Sequence, residues 1–428
     1  MRKTPVLTVA TTLTLTLVLA ACSGGGGGDE TTSEPRAEGE EVTLGFYTDK
    51  AAWEPSFEAM NEVSGENGLT LDFTGYADPT AFDSFVKQSF RTDSVPDLFT
   101  WHTGAQLGEL VEQGLVAETT DLWADAEEQG LVPEGLIDNY TFDGKQYCVP
   151  LNVAYWPVYY NQSVFDEYDL EVPETWDDLM TIADTLVENG EVPFHQMNII
   201  FEFVWFQALL AGNDPEVYQG LQTGEASYTD PAVVEAMETW KQMIDDGYFV
   251  DPGVTTDPQT LLANGDVAMA YFGTFFTGQL TDIGATSGED YGVFVMPNLG
   301  PDVENRQMIL ETGPLCVGVG SQNEQAALEY SAWWMTDDAQ NAWSSERGDI
   351  SFNPNADVAD PALAELVAQV TAEDSGITVQ QRYLEANPLP VYTLSTELFG
   401  DFVTNAPDPM PVLERLQAEA EAYWAEQD

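Results

Sequence analysis

Three kinds of side chain in this sequence could carry chemistry: histidines, cysteines, and aromatic rings clustered around glycine. His102 and His195 are the only two histidines, and Cys22, Cys148 and Cys316 the only three cysteines. With Cys22 assigned to lipidation, two cysteines and two histidines remain, scattered along the chain; a Cys/His zinc site is not expected, nor any other metal or cofactor. No G-x-S-x-G elbow and no glycine-rich phosphate loop occurs. Asp and Glu together number 74, so carboxylate pairs occur at every spacing and mark no glycosidase. The aromatic residues are more informative. Trp101, Tyr155, Trp156, Trp205, Tyr271, Phe272, Phe275 and Phe276 fall near predicted strand ends or loops. In "VAMAYFGTFFTG" (267–278) a short apolar strand runs into four rings around Gly273 and Thr274, more than a core strand requires. Flat apolar rings beside hydrogen-bonding groups suit a ligand with C–H faces and hydroxyl edges, such as a sugar. Core packing is the alternative for each ring taken singly.

The elements that must position these rings alternate between strand and helix. "VTLGFYT" (42–48), "LTLDFTGY" (69–76) and "DLFTW" (97–101) read as strands. Between and after them, 51–63, Phe82 to Phe90, and Leu107 to Val111 carry helical spacing, the last closed by Gly114. "CVPLNVAYWPVYYN" (148–161) reads as a long strand crossing between two lobes. A helix follows with Thr175 as its N-cap, Asp177 and Asp178 at its positive end, and Gly190 as its stop. Asp230 and Pro231 open a second helix in the same manner, with Val233, Met237, Trp240 and Ile244 as its buried stripe. "YGVFVMPNLG" (291–300) and "GPLCVGVGSQ" (313–322) read as strands, and the remainder as mostly helical. Such alternation implies an α/β protein of open sheets with helices on their faces. Ligands of open α/β sheets sit at the carboxyl ends of the strands.

Charge excludes whole classes of partner. Twelve Lys and Arg face the 74 acids, a net charge of −62. Phosphate-backbone binding needs cations, so nucleic acid is not expected as a partner, nor is contact with anionic lipid through a basic patch. The acids are dispersed among apolar periodic segments, which reads as the solvated acidic surface of a halophilic folded protein. At the N-terminus, Arg2 and Lys3 precede an apolar run from Val6 to Leu19 and then "LAAC" ending at Cys22. The run is too short for a spanning helix, which needs roughly 20 apolar residues; it reads as a lipoprotein signal peptide over 1–21. Residues 22–41 are Gly/Ser-rich and acidic and read as a flexible tether. Cys148 and Cys316 would meet oxidising surroundings after export; one disulfide or two separately buried thiols are both open at this point.

The order of segments resembles the family 1 extracellular solute-binding proteins of ABC importers, the group that includes maltose-binding proteins. "PDLFTWHTGAQLGELVEQGLV" (96–116), "GKQYCVPLNVAYWPVYYNQSVFDE" (144–167), "VPETWDDL" (172–179), "LLANGDVAMAYFGTFFTG" (261–278) and "ETGPLCVGVGSQNEQAALEYSAWW" (311–334) are each similar to a family landmark, in family order. With the lipobox-like LAAC they cover most of the mature chain. The resemblance implies a two-lobed periplasmic-binding-protein-like fold of type II. Each lobe is a sheet flanked by helices, joined by hinge crossovers near 150, 315 and 353. The first lobe would comprise 42–150 with 316–352, the second 151–315 with 353–428.

The same resemblance supplies the expected site. Phe275 takes the position where relatives often carry a sugar-stacking tryptophan, and Gly273 lets the backbone approach closely. Trp101 and His102 fall where the family places first-lobe contacts, and Trp205 in the aromatic element of the second lobe. Tyr155 and Tyr271 lie at the strand ends beside them. Glu311, Thr312 and Gly313 occupy the loop before the return crossover, where polar contacts to hydroxyls are expected. Tyr47, Asp49, Gln381 and Arg382 complete the set. The adjacent Tyr159 and Tyr160 resemble those of iron-binding relatives, but the family's "YYN" strand accounts for them, and no metal is expected. The implied function is non-enzymatic: a monomer, held outside the cell membrane by lipidated Cys22 alone, binds a neutral sugar or oligosaccharide and delivers it to an ABC permease. A receptor for a cationic solute such as a polyamine, or a secreted carbohydrate-active enzyme, are the alternatives. A disulfide between Cys148 and Cys316 is expected because both flank the proposed crossovers.

Overall fold

Period-two burial decides the main sheet. Val42–Thr48 buries Leu44, Phe46 and Thr48 and leaves the alternate residues partly or wholly exposed. It forms the first strand of the computed structural model, which describes residues 36–427 apart from 38, 93, 134 and 373. Cys22 and most of the expected tether therefore lie outside the described residues. In chain order the strands are β1 (Val42–Thr48), β2 (Leu69–Gly75), β3 (Leu98–Thr100), β4 (Thr141–Phe142), β5 (Lys145–Gln146), β6 (Val149–Tyr155), β7 (Val158–Asn161), β8 (Met269–Tyr271), β9 (Tyr291–Phe294), β10 (Arg306–Val317) and β11 (Ile377–Gln381).

One sheet runs β11–β10–β3–β1–β2, with β6 also paired to β10. β1 is parallel to both β2 and β3, so their carboxyl ends open on one edge. A second sheet has the order β8–β7–β9, antiparallel throughout. The expected single crossing strand over 148–161 is two strands, β6 in the first sheet and β7 in the second. Pro157 explains the break, since it lacks the N–H a continuous ladder would use. β10 is the long connector. It pairs β11 in parallel through Arg306–Leu310, β6 antiparallel through Leu310–Leu315, and β3 through Leu315–Val317, with an irregularity between Gly313 and Pro314. β11, within the tail read as mostly helical, was not singled out by its sequence.

Two large hydrophobic cores give the two lobes. The first gathers Phe46, Phe57, Leu98, Trp101, Trp123, Trp334 and Trp343; the second gathers Trp156, Trp205, Phe206, Trp240, Tyr383, Phe399 and Leu413. Leu363, Leu366 and Val370 on the helix Pro361–Thr371 still belong to the first core, and the chain then passes through β11 to the second. A third, smaller cluster of Tyr159, Phe272, Phe276, Leu280 and Tyr291 sits on the second sheet.

Local capping follows the sequence. Asp178 N–H donates to Thr175 Oγ1 at 3.2 Å while Thr175 N–H donates to the Asp178 carboxylate at 3.0 Å, a capping box opening Trp176–Asn189. Gly190 ends that helix at φ +87°, a conformation glycine adopts without steric cost. Asp230 accepts from Ala232 N–H at 3.1 Å ahead of Pro231. Cys148 and Cys316 are joined by a disulfide across a sequence separation of 168 residues.

Candidate ligand-binding cleft

The centre of the molecule is built where β6, β10 and β11 pass between the lobes. Glu311 comes from β10, Trp156 follows β6, and Arg382 follows β11. Arg382 forms an ion pair with Glu311 and a second with Glu385, the latter 3.0 Å between Nε and Oε2 but off the hydrogen-bond line. Its guanidinium carbon lies 5.6 Å from the centre of the Trp156 ring and 5.5 Å from that of Phe203. Trp156 Nε1 donates to Glu311 Oε2 at 3.1 Å. Burial would discharge Arg382, but Glu311 and Glu385 outweigh it and hold the guanidinium above its ordinary range. Burial pushes the Glu385 carboxyl up; Arg382 opposes the shift and Glu311 adds to it.

The first lobe supplies one wall from its strand ends. Asp49 follows β1 and accepts from Thr100 Oγ1 at 2.9 Å and from Lys50 Nζ at 3.3 Å. Burial alone would raise its carboxyl, but Lys50, His102 and the Thr100 hydroxyl together hold it below the usual carboxylate range. His102 follows β3, and its Nε2 lies 3.6 Å from Asp83 Oδ1 on the helix Pro79–Ser89. Tyr47 packs on Phe85 with centroids 4.7 Å apart.

The second lobe supplies the facing wall. After β8 the backbone turns, with Thr274 N–H donating to Tyr155 O at 2.9 Å and Phe276 N–H to Gly273 O at 2.9 Å. A Cβ on Gly273 would collide with the ring of Phe275; glycine is needed for this close approach. Phe272 and Phe276 stack at 4.4 Å within the small cluster, and Tyr271 is buried in the second core, so three of the four rings are core. Phe275 is only partly buried. It stacks with the partly buried Phe201 at 6.0 Å and meets Trp156 edge-on at 5.8 Å. Buried Glu202 follows Phe201 in the chain, and half-buried Tyr392 packs against the second core. The Tyr392 phenol is pushed up by burial, with Arg382 opposing and Glu202, Glu385 and first-lobe Asp83 adding to the shift.

The lobes touch on both sides of this centre. Gln381 Nε2 donates to Thr103 Oγ1 at 2.6 Å, and a Cβ on Gly104 would lie 2.6 Å from Glu385 O. On the other side, helix Phe276–Asp282 meets the end of helix Asp337–Arg347 at Gly278 and Gly348.

The expected residues divide into three groups. Asp49, His102, Phe275, Glu311 and Arg382 converge on the centre, with Tyr47 at the margin of the first wall. Trp101, Trp205 and Tyr271 are 4%, 1% and 4% exposed and stand behind the walls inside the two cores. The indole of Trp101 donates to Gln106 O and that of Trp205 to His195 O, each at 3.0 Å. Thr312, Gly313 and Tyr155 form the last group. Thr312 Oγ1 is fully engaged with Tyr140 OH at 2.7 Å and Asn152 O at 3.1 Å, and Gly313 lies against Asn152. Tyr155 and its strand partner Leu310 face away from Glu311, by the alternation of β6 and β10, and line a separate cavity of about 430 Å³ with Val153 and Gln381. Sequence reasoning missed Asp83, Phe201, Glu202, Glu385 and Tyr392. A signal existed for Glu202: it is the lone acid in "IIFEFVWF" (199–206).

The profile of a family described as bacterial extracellular solute-binding protein matches residues 57–370 of this chain. Among curated proteins, the chain is 24% identical over 329 residues to an uncharacterized ABC transporter extracellular-binding protein of Pyrococcus horikoshii, covering 74% of this chain and 69% of that one. It is 22% identical over 296 residues to the alpha-glucosides-binding periplasmic protein AglE of Rhizobium meliloti, covering 63% and 64%. The matched segments thus span about two thirds of these relatives' own lengths. Among solved structures, a chitin oligosaccharide binding protein superposes with a TM-score of 0.74 at 17% identity, over 90% of this chain and all of that one. The two-lobed fold is shared with it.

Proposed function

The chain belongs to the bacterial extracellular solute-binding protein family, and we propose that it captures a sugar or short oligosaccharide between its lobes and delivers it to the permease of an ABC importer. The observation that carries this reading is the half-buried pair Phe275 and Phe201, packed edge-on against buried Trp156, whose indole is bonded to Glu311 of the Arg382 ion-pair cluster between the lobes. Rings of this kind cover the C–H face of a pyranose, while carboxylates, imidazole and phenol take its hydroxyls. The relatives named for alpha-glucosides and chitin oligosaccharide agree with that ligand class.

In this reading the residues at the centre and behind it take separate roles. Phe275 and Phe201 stack on the ligand. Asp49, Asp83, His102 and Tyr392 select hydroxyl positions. Arg382 with Glu311 and Glu385 fixes Trp156 and ties the second wall to the hinge strand β10. Trp101, Trp205 and Tyr271 hold the walls from behind. The lobes close about β6, β10 and β11, and lipidation of Cys22 anchors the receptor at the membrane beside its permease. The test is a thermal-shift and calorimetric screen of mono- and oligosaccharides at low and at molar salt. A sugar that raises the melting temperature and binds with one-to-one stoichiometry supports the reading; a panel in which only non-sugar solutes bind overturns it.

A further inference from the structure

We propose that Ile199 and Ile200 form a strained clamp beside the aromatic wall of the cleft and cover the C–H face of a second sugar ring, so that the receptor selects linked rings over single ones. The inference rests on the sugar-receptor reading and narrows its ligand class. Phe201 N–H donates to Ile199 O at 2.7 Å, closing a γ-turn across Ile200. Ile200 sits at φ +68°. The positive-φ form of this turn is the strained one, and a β-branched side chain suits it least. Of the five non-glycine residues with positive φ among the described residues, Ile200 alone is β-branched. Ile199 and Ile200 are 63% and 66% exposed, more than any other large apolar side chain among the described residues.

The turn is fastened at both ends. Asn198 Nδ2 donates to Thr404 Oγ1 at 3.1 Å, and a Cβ on Gly400 would lie 2.7 Å from Asn198 O, so its start rests on the helix Leu389–Asn405. At its end the Phe201 ring packs on Trp156, Phe272 and Phe275, with centroids 5.3, 5.7 and 6.0 Å away. Backbone strain held between such anchors is found at ligand clamps. It keeps two apolar side chains in water, on Cα atoms within about 8 Å of that of Phe201. Neither side chain can hydrogen-bond, so what covers them is an apolar surface. With one pyranose on Phe275 and Phe201, the next ring of a linked sugar brings its C–H face onto the isoleucines and removes them from water.

The experiment is isothermal titration of the full chain with two series of one to four rings, α-1,4-linked glucose and β-1,4-linked N-acetylglucosamine, alongside thermal denaturation. In at least one series the wild type is expected to bind linked rings about tenfold or more tighter than a single ring. Ile199→Ser and Ile200→Asn should each bring the affinity for linked rings down toward that for one. Ile200→Asn should also melt at or above the wild-type temperature, because asparagine adopts positive φ more readily. If single rings bind as tightly as linked ones, if the gain with length survives in both variants, or if Ile200→Asn melts lower, the clamp is overturned while the sugar-receptor reading stands. If neither series binds at any length the clamp fails, and the wider sugar screen decides the receptor reading separately.

Discussion

Gly278 and Gly348 bring the two lobes into backbone contact: a Cβ on Gly348 would lie 3.1 Å from the Gly278 Cα, and a Cβ on Gly278 would collide with Arg347 O. Neither backbone can yield without its helix moving, because Gly278 lies in Phe276–Asp282 and Arg347 ends Asp337–Arg347. A side chain here is a wedge between the lobes. Gly278→Val is expected to weaken ligand binding by about tenfold or more, and to enlarge the radius of gyration of the liganded protein in small-angle scattering. Each lobe's own core should be untouched. Unchanged affinity would mean that closure on the ligand does not need this approach.

The disulfide gives a second prediction. It closes a loop of 168 residues between the start of β6 and the end of β10. Both cysteines are fully buried in the first core. The Cys148 carbonyl also accepts from Thr119 Oγ1 at 2.7 Å and Trp123 Nε1 at 2.9 Å. Replacing both cysteines with serine should cost about 2–5 kcal/mol of stability, read by urea denaturation. The unfolded, non-reduced protein should titrate no thiol at Cys148 or Cys316; two titratable thiols would dispose of the bond.

Asp349 should make stability fall as pH rises toward and through neutrality. It is 8% exposed, and burial raises its carboxyl to about 7, against the opposing Thr274 hydroxyl, the Ile350 N–H and Arg347, with nearby Glu311 adding to the rise. The folded protein therefore holds a proton here that the unfolded chain, with an ordinary carboxyl of about 4, has already lost. The stability this provides is fully present below about pH 4 and is lost as pH rises through about 7. Asp349→Asn should remove that slope and stabilise the protein above neutrality by an amount on the order of 1–3 kcal/mol. Denaturation at several pH values checks it; a variant with the same slope as the wild type would contradict the assignment.

A net charge of −62 should make stability rise with salt. At about 1 M salt the screening length falls to about 3 Å, and the mutual repulsion of the acids fades. A melting temperature flat between low and molar salt would refute the halophilic reading of the surface.

Local grammar was legible in the sequence. The caps at Thr175 and Asp230, the period-two burial of β1 and the stop at Gly190 depend on residues within a few positions of each other. The break at Pro157 also had a local cause, yet the apolar run on both sides of it concealed the change of sheet. Trp101 and Trp205 show the limit more plainly. A tryptophan after a strand reads the same whether its face is open or covered by residues distant in sequence, and here both rings are covered. Gln381 and Thr103 meet only because two lobes far apart in the sequence face each other. Tyr392, inside an apolar helix, carried no local mark at all. Phe275 was identified through its resemblance to relatives, and it stands half-buried beside Phe201.

The most direct test of the account is the affinity of Phe275 variants for a sugar found in the screen. Phe275→Ala removes the ring at the exposed edge of the second wall and should cost on the order of 1–3 kcal/mol, roughly ten- to over a hundredfold in affinity, with little change in melting temperature because the ring is only partly buried. Phe275→Trp should bind at least as tightly as the wild type. If Phe275→Ala binds the sugar like the wild type, the ligand does not stack on this wall and the cleft described between the lobes is not the binding site.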